Sequence, residues 1–202
     1  MIEAFKNPGF SRPTPLRIDG DTISGHFCAW GTPHLAMPNV TPPRSQSGYR
    51  YFHLSGYQLD DGSEIDVGKI TLHTTHAGLR VSSEQAVAHY ENTGTVAAYV
   101  RAGDDEHGGW FCGRLAKNLD DATVEALRAA TPSGDWRGYQ GRRELIGILA
   151  VNVPGFPIER ERALVAAGNE SLALVASGLV VNDPRDQLRL RVARKALKRR
   201  LK

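Results

Sequence analysis

Long apolar runs are missing from this chain. The longest, residues 163–167 and 172–176, fall far short of the roughly 20 residues that a bilayer-spanning helix needs. The N-terminal MIEAFKNPGF lacks the apolar core of a signal peptide, so export is not expected. Cysteine is scarce as well. Cys28 and Cys112 stand far apart, which leaves no disulfide framework and fits a reducing, intracellular setting. No HExxH or CxxC pattern is present. His73 and His76, three apart on an expected strand, would face opposite ways and do not suit one metal ion. No metal and no cofactor are therefore expected.

What is present reads as a soluble globular domain. Apolar residues make up 41% and charged residues 23% of 202, enough for one domain with a real core. The net charge of +3 is unevenly spread. Residues 183–202 hold nine Lys/Arg and two Asp, so the rest holds 16 basic and 20 acidic residues, a net of −4. The basic end reads as an amphipathic helix capped by Asp183, with Leu190, Ala193, Leu197 and Leu201 on one stripe. Nucleic-acid binding is expected only through that tail, and membrane binding is not expected.

The pattern along the chain points to an α+β fold, mainly an antiparallel sheet or barrel flanked by a few helices. Residues 1–21 read as an arm, 22–181 as the main domain and 182–202 as the basic helix. Strands are expected over 22–30, 49–54, 65–73, 95–101, 109–115 and 144–153. Helices are expected over 82–90, capped by Ser82 or Ser83, and over 120–130, capped by Asp120. Residues 31–49, with four prolines, form a long loop. Trp30 reads as core. His26, His34 and His53 read as hydrogen-bonding groups around the sheet. Asp104, Asp105 and Glu106 read as a solvated hairpin turn rather than a cation site. The segment 163–181 is apolar and open between helix and strand.

One constellation carries chemistry. A serine nucleophile needs a base in hydrogen-bond reach, a group that orients the base, and backbone donors for the oxyanion. Ser133 follows the second helix in Thr131-Pro132-Ser133-Gly134, where a turn would present its hydroxyl. His76 lies at a strand end in LHTTHAGL and titrates in the right range for a base. Gly134, Trp136 and Arg137 offer backbone N–H groups to an oxyanion; equally, Trp136 suits the core and Arg137 the surface.

The order of these features is similar to that of the tailed-bacteriophage prohead (capsid maturation) proteases. The matching pieces are TTHAGL, DDEHGGW, PSGDWR and LIGILAVNVPG, over about residues 22–166. Within that family the chain resembles the actinobacteriophage branch, and more distantly it resembles the herpesvirus assemblins. The resemblance implies a serine endopeptidase with Ser133 as nucleophile and His76 as base. It would act in the host cytoplasm, inside the phage procapsid, on scaffold and major capsid protein and on itself, with self-association possible. The acidic position of the family's last strand falls near Gly147. The third member is thereby open among His107 and His89, weighted first, and Asp135 and Glu144. A second expectation is a capsid or assembly component of the same fold without activity.

Overall fold

The computed structural model describes residues 2–159 except Pro38 and Gln140, all within one compact unit, Met1–Glu161. The expectations for 163–181 and for the basic helix fall outside the described residues. Eight strands and two α-helices follow in the order β1 Arg17–Asp19, β2 Thr22–Ala29, β3 Ser55–Gln58, β4 Glu64–Leu72, α1 Ser83–Thr93, β5 Thr95–Asp104, β6 Gly108–Leu115, α2 Asp121–Ala129, β7 Thr131–Tyr139 and β8 Arg142–Val151. The fold is mostly β, a curled half-barrel with two short helices, where the sequence pattern pointed to α+β. The strand order is β1-β2-β6-β5-β4-β8-β7, with β3 paired to β4. Every pairing is antiparallel except β4 with β8.

Two expectations need correction. Residues 49–54 form turns rather than a strand, and β3 begins only at Ser55. Tyr49 has φ +68, which breaks an extended run at its first residue. Ser133 lies in β7, not in a turn; Pro132 is accepted there because β7 ends the strand order and leaves one side of its backbone outside the ladder. The N-terminal arm is anchored to the sheet. Phe5, in a short 3₁₀ turn, is buried against Leu59 and Val67, and Ile18 of β1 packs on the main core.

The helices follow their local signals. Ser82 caps α1 by accepting from the Gln85 N–H, while the Gln85 side chain accepts from the Ser82 N–H, a full capping box. Asp120 caps α2 in the simpler way, accepting from the Thr123 N–H. The core inside the half-barrel is formed by Phe27, Ile70, Val100, Phe111, Leu127, Leu145, Ile148 and their neighbours. Trp136 joins it, its ring 5.7 Å from Phe27 and 5.5 Å from Phe156. Trp30 is half-buried; its Nε1–H donates to the Asp105 carbonyl and the Arg44 guanidinium lies over its ring.

Candidate functional site

The topology brings two distant segments together. In register, Ser133 on β7 lies beside Leu149 on β8, and Leu149 lies beside Thr71 on β4. The chain leaves β4 at Leu72 and runs through an irregular stretch, residues 73–82, before α1. His73 enters that stretch with φ +59, so His73 and His76 are both past the strand, and the face argument for them no longer applies. The stretch folds back across β8 and places His76 Nε2 3.0 Å from Ser133 Oγ.

Alternation along β7 then assembles a row of polar groups. Residues two apart on a strand share a face, so Ser133, Asp135 and Arg137 point one way. Asp135 and Arg137 are each 7% exposed and form a buried ion pair, with Arg137 Nε 2.9 Å from the carboxylate. Tyr90, from the last turns of α1, donates its hydroxyl proton to Asp135 and accepts the N–H of Ala77 at 3.2 Å. Arg137 donates from Nη2 to the Ala77 carbonyl and from Nη1 to the Gly78 carbonyl, both at 2.8 Å. Gly147 sits opposite Asp135 on β8, and a Cβ there would come within 3.2 Å of the Tyr90 ring. Gly147 is thus the bed of an aromatic ring.

The electrostatics suit a base. Burial of the imidazole holds the His76 pKa below its ordinary 6.5, the Asp135 carboxylate pulls it up, and Arg137 and His34 pull it down. His76 as a residue still reaches solvent, whereas Ser133 is only 2% exposed. Ser133 Oγ also accepts the Gly155 N–H at 3.2 Å. The Gly155 carbonyl in turn accepts the Leu35 N–H, which ties the 31–49 loop to the same residue. Burial likewise raises the Tyr90 phenol well above its ordinary range, so it is a neutral donor.

The other candidates are placed elsewhere. His107 sits in the β5–β6 turn, its Nε2 3.4 Å from the Glu106 carboxylate. His89 is on α1, next to the stretch that carries His76, but its Nε2 lies 3.0 Å from the Thr75 carbonyl. Neither is hydrogen-bonded to His76 among the described residues. Glu144 is 1% exposed and serves the long loop, accepting from Ser45 and from the N–H and hydroxyl of Ser47. Of the four third-member candidates, only Asp135 acts on the imidazole, and it does so through space. Gly134, Trp136 and Arg137 lie in a ladder with β8, where successive N–H groups point alternately toward and away from the partner. They therefore do not form the cluster of adjacent donors that a turn would have made. The Gly155 N–H, which sequence reading missed, is the backbone donor at Oγ.

Sequence reading also missed Tyr90. Its only signal was a tyrosine at the buried end of an otherwise polar helix, SSEQAVAHY. His34, His26 and His53 accept backbone N–H groups from Ala36 and Met37, from Thr14 and from Ala102 respectively. Asp105 folds into its own turn, accepting from the His107 and Gly108 N–H groups, and faces the buried His26. No group of three metal-ligating side chains occurs among the described residues. A surface cavity of about 270 Å³ lies between α1 and the sheet, lined by Phe52, Leu54, Val87, Val96 and Ile146, and borders the site at Tyr90, Gly147 and Thr71. No protein-family model, curated protein or solved structure shows a significant match to this chain.

Proposed function

We propose that this chain is a serine endopeptidase of the prohead-protease type, with Ser133 as nucleophile and His76 as general base. The observation that carries the reading is the 3.0 Å contact between Ser133 Oγ and His76 Nε2, made across β8 by residues 57 positions apart. Neutral His76 accepts the Ser133 proton as Oγ attacks a peptide carbonyl. The imidazolium so formed returns the proton to the leaving amine, and water repeats the cycle to release the acyl group. Asp135 stabilises the imidazolium electrostatically. The Gly155 N–H, already directed at Oγ, is available to the oxyanion once the hydroxyl has turned to attack. The substrates in this reading are phage scaffold and major capsid protein and the chain itself, met in the host cytoplasm inside the procapsid.

A fluorophosphonate probe tests this directly, because phosphonylation requires an activated, reachable serine. The expected result is one adduct on Ser133, lost in Ser133→Ala and in His76→Ala, with the double variant no worse than either. Ser133→Ala leaves the Gly155 N–H without its acceptor and costs about 1 kcal/mol of stability, so the variant stays folded. A second reading, a non-catalytic capsid or assembly component of this fold, is favoured by the 2% exposure of Ser133. A folded chain that refuses the probe at every pH would decide for it.

A further inference from the structure

The role of the third group is unusual in its geometry. Among the described residues no hydrogen bond reaches the second ring nitrogen of His76, and the buried Asp135 carboxylate acts on the ring through its charge alone. That carboxylate is instead fully engaged by Tyr90 and Arg137. Both of its partners turn their remaining polar groups to the backbone of the same two residues, Ala77 and Gly78. Tyr90 takes the Ala77 N–H, and Arg137 takes the Ala77 and Gly78 carbonyls. These are the residues directly after His76. The backbone that carries the base is thus held on both its donor and its acceptor sides from one hub.

We propose that Tyr90 and Arg137, tied together by Asp135, are the positioning group of His76: they orient the imidazole by clamping the backbone of Ala77 and Gly78, not by a bond to the ring. The proposal rests on the reading of Ser133 and His76 as nucleophile and base. It divides the usual task of an orienting carboxylate in two. Asp135 supplies the negative charge across space, and the phenol and guanidinium supply the geometry. The clamp also explains why a stretch without regular structure can hold a base in place. Arg137 spends two of its nitrogens on carbonyls that no helix or strand would satisfy. Tyr90 is brought to the hub by the capped helix α1, and Gly147 leaves room for its ring.

The charged and titratable groups that act on His76 are Asp135 and Arg137 from β7 and His34 from the 31–49 loop, while Tyr90 and His89 of α1 bond the backbone of its neighbours Ala77 and Thr75. Two variants of the full chain separate their roles. Tyr90→Phe keeps the ring and the ion pair and removes only the hydroxyl. It should fold, label with fluorophosphonate about tenfold or more slowly well below its melting temperature, and show faster amide exchange at Ala77. Asp135→Asn keeps the shape and removes the charge. The NMR titration midpoint of His76 should then move to lower pH, because Arg137 remains and its counter-charge is gone.

Each arm can sink the proposal. Wild-type labelling and unchanged Ala77 exchange in Tyr90→Phe would overturn it, and so would an unmoved His76 midpoint in folded Asp135→Asn. If Asp135→Asn does not fold, Tyr90→Phe decides alone. If the wild-type chain takes no probe while Ala77 exchange still accelerates in Tyr90→Phe, the clamp stands and the enzyme reading falls. If the wild-type chain labels and Tyr90→Phe matches it, the enzyme reading stands and the clamp falls.

Discussion

His53 sets how this chain responds to acid. Its Nε2 accepts the buried Ala102 N–H at 2.8 Å, so that nitrogen must carry no proton. Burial and the Arg101 charge push its pKa from 6.5 down to about 4. The unfolded chain therefore binds a proton near 6.5 that the folded chain refuses until about 4. The folded state should lose stability as pH falls through that window and lose no more from this group below it. His26, His34 and His76 are shifted the same way by burial and add to the slope. His53→Ala should cost about 1–3 kcal/mol at neutral pH, because the Ala102 N–H is orphaned, and should flatten the pH dependence. Urea unfolding at pH 7 and pH 4.5, about the two ends of the window, checks it; an undiminished difference in the variant would exclude His53 as a source. The same lowering at His76 predicts that probe labelling holds its plateau below pH 6.5 before it falls. Ser133 and His76 were legible as residue types in a suggestive order. Their 3.0 Å contact was not, because it depends on a parallel pairing of β4 with β8 that no local pattern encodes.

At the scale of elements, local chemistry wrote the helices and close packing wrote the strands. Ser82 and Gln85 mark the start of α1 in sequence and form the capping box in space. Ser82→Ala should cost about 1 kcal/mol. Because α1 delivers Tyr90, its labelling rate should also drop, while the Asp120→Ala cap variant of α2 should lose comparable stability without a rate effect. Equal effects on rate would deny α1 its special place. Strands β5 and β6 approach so closely that a Cβ at Gly113 would stand 2.0 Å from the Tyr99 carbonyl oxygen and 2.7 Å from the Val100 Cα. Backbone cannot swing aside as a side chain can. Gly113→Ala should destabilise by about 3 kcal/mol or more, read by thermal melting. A melting temperature near wild type would mean that the two strands separate at little cost. Strand β7 was misread because Thr131-Pro132-Ser133-Gly134 has turn composition. The sheet overrides it: the Gly134 position leaves room for the Trp136 ring, 2.5 Å from where a Cβ would be, and Trp136 anchors the strand to Phe27 and Phe156.

For the whole molecule, charge and topology divide the work. The nine basic residues of 183–202 stand behind a chain of net charge −4, which supports a tether to an acidic partner such as the scaffold or capsid-protein lattice. A chain ending at Val181 should keep its probe labelling and its unfolding midpoint, and lose co-sedimentation with procapsid proteins that weakens as salt rises. Co-sedimentation that survives truncation would remove the tail from partner binding. Composition and periodicity by themselves determined a mainly antiparallel sheet and two capped helices, because these follow from short-range rules: caps, alternation, turn residues; the pairing of His76 with Ser133 was implied by the family resemblance. Only the tertiary structure decided that Ser133 is buried in a strand, that Asp135 and not His107 acts on His76, and that Tyr90 and Arg137 hold the backbone after His76. Those outcomes depend on which strands lie side by side, and strand order is set by the burial of the whole core rather than by any segment within it.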